Sequence, residues 1–369
     1  MGSSRQTAHT VAVIFSLIAP MVSAFTGGFK PTEPVIAGEL AQSIEEYMEQ
    51  LESEGFSGAL MVAKDGDIIL ANGYGLANRE AEIPFTGETV FDIGSLTKQF
   101  TGATILKLEM MDKLSTDDSI AEYFDNVPAD KKDILIHDLL THSAGFPGAL
   151  GRDYDPLTRD EFIRKAMSLE LPREPGDAYE YSNVGFSLLA AIVEIVSGIS
   201  YDEFTQEYLF EPAGMTQTGY VLPDWNPDTF AHGYRGDHHW GAPRDQKWAE
   251  DGPFWNLRGN GGTLSTIYDM YKWHIALEGN DILSDEARAK YFTPHIEEEK
   301  GSGSYYGYGW VIAESRRGTK VIWHNGGNPY FANDCYRYVD DDVFVFFTSN
   351  NGEMPAIRYT ENILKRIFK

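Results

Sequence analysis

Apolar residues Leu40, Ile44, Tyr47, Met48 and Leu51 recur at the three- and four-residue spacing of a single helical face, and Gly55 supplies the stop, so a helix is expected over residues 38–54. Two apolar, strand-like runs follow at 56–62 and 67–72, flanking Lys64-Asp65-Gly66, whose Asp-Gly pair suits a tight hairpin turn. A second group of strand-like runs lies near the C-terminus, at 306–313, 320–324, 335–339 and 343–349. Arg316-Arg317-Gly318, Asn325-Gly326-Gly327 and Asp340-Asp341-Asp342 separate them, and an amphipathic helix over 356–368 closes the chain. Between these ends, residues from about 96 to 290 are mostly helical in pattern, apart from a long irregular stretch at 223–253. Early strands, late strands and end helices together predict an α+β fold: an antiparallel β-sheet flanked by N- and C-terminal helices, with an inserted mostly helical lobe. The expected boundaries are a sheet lobe at about 36–111 and 291–369 and a helical lobe at about 112–290, with a ligand cleft where they meet.

Composition changes this picture little. The 369 residues, 42% of them apolar, can fill a sizeable core. A formal charge of −26 excludes nucleic acid and anionic membranes as partners over most of the surface, and reads as a solubility device. Residues 1–24 have a polar start carrying Arg5, an apolar stretch and a small-residue ending, Val22-Ser23-Ala24; they read as a secretory signal cleaved after Ala24, and otherwise as a retained anchor. The expected location is therefore secreted or periplasmic, with no stable membrane span after cleavage. Cys335 is the single cysteine, so no internal disulfide can form and packing must supply the stability.

Candidate chemistry sits in three segments. Ser95 and Lys98, three residues apart where a buried helix begins, lie on one face, so the Lys98 amine can approach the Ser95 hydroxyl as its base if burial or nearby positive charge disfavours the ammonium. A capping serine beside a snorkelling lysine is the plainer reading of the same spacing. In Tyr181-Ser182-Asn183, on a loop ahead of an apolar helix, a tyrosine whose pKa is lowered by a nearby lysine can relay a proton. The Asn183 amide can hold both Lys98 and a substrate carbonyl; a capped turn is the alternative. In His324-Asn325-Gly326-Gly327 a strand ends in a glycine pair that lets a substrate lie close along the sheet edge, unless the segment is only a hairpin turn. His324 could donate to substrate or to Tyr181, and the N–H groups of Ser95 and Gly327 could form an oxyanion hole.

In that order and at that wide spacing, Ser95-Leu-Thr-Lys98, Tyr181-Ser-Asn183 and His324-Asn-Gly326 resemble the three motifs of penicillin-recognising serine hydrolases. Longer stretches agree, among them His137-Asp138-Leu139-Leu140-Thr141-His142-Ser143-Ala144-Gly145 and Gly259-Asn260-Gly261-Gly262-Thr263-Leu264-Ser265-Thr266. The group includes class C β-lactamases, D-alanyl-D-alanine carboxypeptidases, D-amino-acid peptidases and esterases of the same fold. The resemblance implies an acyl-enzyme on Ser95, with Lys98 and Tyr181 as general bases, Asn183 as substrate and lysine contact, and Ser95 with Gly327 as oxyanion donors. Class C β-lactamases place a lysine where His324 stands, and a neutral imidazole lacks that permanent charge.

The expected function is thus an exported serine acyl hydrolase acting on D-amino-acid-containing peptides or small esters. A class C-like β-lactamase and a non-turnover penicillin-binding or scaffold protein are the alternatives. His137, His142 and the His238-His239 pair show no third ligand at zinc-like spacing, so no metal is expected, and the absence of phosphate- or dinucleotide-cradling loops implies no organic cofactor. Asp92 reads as a helix-start residue. The sequence carries no signal of oligomeric state.

Overall fold

The computed structural model describes residues 33–369, so the secretory signal expected at 1–24 lies outside the described residues. Chain order of the sheet strands is β1 (Val35–Ile36), β2 (Gly58–Lys64), β3 (Asp67–Tyr74), β4 (Ile296–Glu297), β5 (Ser304–Tyr306), β6 (Val311–Glu314), β7 (Lys320–Asn328), β8 (Phe331–Tyr338) and β9 (Val343–Ser349). They form one antiparallel sheet ordered β1-β3-β2-β9-β8-β7-β6-β5-β4, which places the last strand of the chain beside the first long one. As expected, β2 and β3 are joined by a tight turn, with Asp65 and Gly66 both at positive φ (54° and 80°).

Alternation along the strands divides the apolar side chains between two faces. Leu60 and Val62 of β2 and Val345 and Phe347 of β9 pack against helices α1 (Gly38–Ser53) and, at the chain's other end, Ala356–Ile367, through Ile44, Met48, Leu51 and Ile363. Met61, Phe344 and Phe346 point the other way, into a larger core shared with α2 (Thr97–Met110). With both faces covered, β9 is apolar without a break from Val343 to Phe347, and each such large side chain contributes on the order of 1.5–3 kcal/mol on burial.

The chain between α2 and β4 is the mostly helical insertion. Its central helix, α3 (Asn183–Ser197), starts at Ser182, whose Oγ accepts the Gly185 N–H at 3.2 Å, and stops at Gly198 in the left-handed region. α2 is buried around its whole circumference, polar residues included, with Thr101 Oγ1 donating to the Gly259 carbonyl at 2.6 Å. Sheet, end helices and insertion together give the α+β class read from the sequence. No single helix among the described residues is long and apolar enough to cross a membrane.

Two strand expectations need correction. The run at 306–313 is two strands, because residues between β5 and β6 turn at Gly309 (φ +90°) and press on α2, where a Cβ on Gly309 would meet the Lys98 carbonyl oxygen at 2.5 Å. The Asn325-Gly326-Gly327 segment is no turn: β7 continues through it to Asn328, paired residue by residue with β8. The irregular 223–253 stretch contains a short hairpin, Gly233–Arg235 with His238–Gly241.

Candidate active site

Ser95 lies in a single 3-10 turn, Gly94–Leu96, that runs straight into α2. The turn is tied down by Asp92, whose backbone belongs to a two-residue strand pairing with Leu264 and Ser265 and whose side chain serves the helix start as expected. Its Oδ1 accepts the Gly94 N–H at 2.7 Å, and its Oδ2 accepts from Asn328 Nδ2 at 2.8 Å, joining the turn to the end of β7. Burial pushes the Asp92 carboxyl up to about 7.

One helical turn on, Lys98 is fully buried, and its Nζ stands 3.2 Å from Ser95 Oγ, 2.8 Å from Asn183 Oδ1 and 2.7 Å from the Asn260 carbonyl oxygen. Three segments 85 and 162 residues from Lys98 or adjacent to it therefore converge on one amine. Burial holds that amine well below the ordinary lysine pKa, opposed by the nearby Asp153 carboxylate. Tyr181 lies beside it, ring centre 4.7 Å from Lys98 Nζ, with its phenol hydrogen-bonded to Ser95. The expected direction for Tyr181 is reversed: burial raises its pKa, so the group is a protonated phenol at neutral pH.

Gly326 and Gly327 bring β7 against the Ser95 turn. A Cβ on Gly326 would meet Ile93 O at 2.1 Å and Ser95 N at 3.0 Å, and one on Gly94 would meet Gly327 N at 2.3 Å, so the two strands of backbone touch with no room for a side chain. His324 faces inward. Its Nε2 pairs with the Tyr306 hydroxyl at 3.0 Å, its Nδ1 lies against the Asn325 carbonyl, and burial lowers its pKa to about 3. Its ring centre is 6.3 Å from that of Tyr181, so the donation to Tyr181 considered from the sequence gives way to a bond with Tyr306. A cavity of about 810 Å3 opens beside Ser95, Tyr181, Asn325, Gly326 and Gly327. All seven residues singled out from the sequence thus gather around one cleft, His324 behind its wall.

Sequence reasoning missed two contributors. The Asn260 carbonyl is a backbone group, and only its place within the glycine-rich 259–262 segment hinted at a close approach. His142, set aside as a structural histidine, grips the Tyr181 loop from both sides: its carbonyl accepts the Glu180 N–H at 2.8 Å and its Nδ1 accepts the Ser182 N–H at 3.0 Å. Its ring centre is 4.4 Å from that of Tyr181.

Residues 40–366 match the family described as Beta-lactamase. The chain belongs to that family. Among its β-lactamase-family relatives, Penicillin-binding protein 4* of Bacillus subtilis (strain 168) is 28% identical over 333 residues, covering 85% of this chain and 72% of the relative. The octameric penicillin-binding protein homologue from Pyrococcus abyssi superposes with a TM-score of 0.76 at 28% identity, over 89% of this chain and 77% of that one. A penicillin-binding protein from Bacillus halodurans gives 0.73 at 27% identity, over 89% and 99%. The family resemblance read from the three motifs is borne out.

Proposed function

We propose that this member of the β-lactamase family is an exported serine acyl hydrolase that acts on D-amino-acid-containing peptides or small esters through an acyl-enzyme on Ser95. The observation that carries the reading is the set of three contacts at Lys98 Nζ. A neutral amine has two N–H bonds and one lone pair; donating to Asn183 Oδ1 and the Asn260 carbonyl leaves the lone pair facing the Ser95 hydroxyl. Ser95 Oγ attacks the acyl carbon as its proton passes to Lys98 Nζ. The Ser95 and Gly327 N–H groups receive the developing oxyanion. Tyr181, protonated through burial, gives its proton to the leaving group and recovers one from Lys98. Water then repeats the sequence in reverse, releasing the acid and restoring Ser95. Asn183 orients Lys98 and contacts the substrate carbonyl.

The inward, neutral His324 supports esters and peptides over β-lactams, since it offers no fixed positive charge to a β-lactam carboxylate. The names of the penicillin-binding relatives favour a second reading, in which penicillin acylates Ser95 and deacylation is slow. One experiment addresses both: a panel of p-nitrophenyl esters, D-alanyl-D-alanine peptides, D-amino-acid amides, nitrocefin and benzylpenicillin, each followed by turnover and by intact mass. Ester or D-peptide turnover with a transient adduct mapped to Ser95 is the expected result, and a penicillin adduct lasting hours would favour the second reading. No turnover and no Ser95 adduct across the panel would sink both.

Gly326→Ala tests the close approach of β7. Its Cβ must push the Ile93–Ser95 backbone away from β7, and a displacement near 1 Å at the reacting groups costs roughly 10^2-fold in rate. We expect kcat/KM for the best panel substrate to fall by about that factor with the far-UV circular dichroism unchanged. A folded variant within twofold of wild type would show that the backbone contact does not position the nucleophile.

A further inference from the structure

The hairpin at 233–241 and the loop after residue 78 bring together three side chains that play no part in the site above. Glu80, His232 and His239 each present one ligand atom, all within 4.8 Å of one another. His232 Nδ1 is 2.8 Å from His239 Nε2, and His239 Nε2 is 3.4 Å from Glu80 Oε2. A tetrahedral cation with bonds of about 2.0–2.1 Å separates its ligands by about 3.3 Å, so small rotations of the exposed Glu80 and His239 side chains against half-buried His232 bring all three into range. The surroundings hold them there. The Tyr234 hydroxyl donates to Glu80 Oε2 and accepts the Arg79 N–H at 2.7 Å. The His232 N–H donates to the Ala77 carbonyl at 2.8 Å, and its own carbonyl accepts from Asn350 Nδ2 at 3.0 Å. The two imidazoles are within 6° of parallel.

We propose that Glu80, His232 and His239 bind a divalent cation of the zinc type, water completing its shell, as a structural clamp between the 78–80 loop and the 233–241 hairpin. Two imidazoles and one carboxylate are the donor set that zinc accepts and that harder cations such as magnesium do not. The clamp links segments more than 150 residues apart in a chain whose single cysteine rules out an internal disulfide. It also steadies Trp240, which stacks on Tyr330 at 4.8 Å just past the end of β7. One contact opposes the metal: Asn78 Nδ2 lies 3.2 Å from His232 Nε2 while Asn78 Oδ1 accepts the Ala81 N–H, so the amide offers a donor where a metal-bound imidazole needs an acceptor.

The test is calorimetric titration of the chelator-stripped full chain with zinc sulfate, alongside the melting temperature with and without zinc. We expect one equivalent to bind at about micromolar Kd and raise Tm, with affinity at least tenfold weaker in Glu80→Gln and His239→Ala and unchanged in His238→Ala. Asn78→Asp, which supplies an acceptor to both Ala81 N–H and His232 Nε2–H, is expected to bind about tenfold tighter. No binding at ~100 µM zinc, or equal binding in Glu80→Gln and His239→Ala, would overturn the proposal. A folded Asn78→Asp protein that binds no tighter would overturn His232 Nδ1 as a ligand.

Discussion

Ser95→Ala is expected to lower kcat/KM by about 10^3-fold or more on every substrate the wild type turns over, and to abolish the covalent adduct in intact mass, while leaving the fold in place. The two readings of Ser95 separate here. A serine kept for capping would, on loss of its hydroxyl, cost about 1 kcal/mol of stability and nothing in rate. In the structure Ser95 caps no helix: α2 starts without a side-chain cap, and the Ser95 hydroxyl is engaged by Lys98 and Tyr181 instead. Removing it leaves the Lys98 lone pair and the Tyr181 phenol without the serine, but Tyr181 borders the cavity, where water can take the place of the hydroxyl, so Tm is expected within a degree or two of wild type. Wild-type turnover in the purified variant would place the nucleophile elsewhere.

Where a feature depended on local pattern, the sequence carried it. Helical spacing put Lys98 on the Ser95 face, and Asp65-Gly66 announced its turn. The outer helices α1 and 356–367 were visible because one face of each is apolar. What failed was set by contacts from far along the chain. Asn325-Gly326-Gly327 looks like a turn, yet β8 pairs with it throughout. His324 turns inward because Tyr306, from a strand 18 residues earlier, meets its Nε2. For Tyr181 the neighbouring lysine was legible, but the burial that raises its pKa against the hydrogen bond with Ser95 was not. The meeting of Glu80 with His239 was likewise invisible, since Glu80 lies 159 residues before it and no spacing rule joins them.

Lys98→Met should produce the opposite balance of activity and stability. Methionine keeps much of the volume of the buried stem and removes the amine, so proton removal from Ser95 loses its base and kcat is expected to fall by about 10^3-fold, near the middle of the general-base range. Stability should rise. Burial holds the folded Lys98 pKa well below its ordinary value of 10.5, so between those two values the unfolded chain binds one proton that the folded chain does not. Wild-type stability therefore increases with pH across that window, and the destabilisation from Lys98 is greatest at its acid end and vanishes near 10.5. The difference in Tm between variant and wild type should follow the same course, positive at pH 6 and shrinking as pH rises toward the ordinary lysine value. The hydrogen bonds given to Asn183 and Asn260 are lost, which trims the gain without changing its pH dependence. The same proton governs catalysis in the wild type: activity should climb with pH as Lys98 Nζ becomes neutral, with Tyr181 still protonated above neutrality. A Tm difference that is constant from pH 6 to pH 10 would mean that Lys98 keeps its charge in the folded protein and does not take the Ser95 proton.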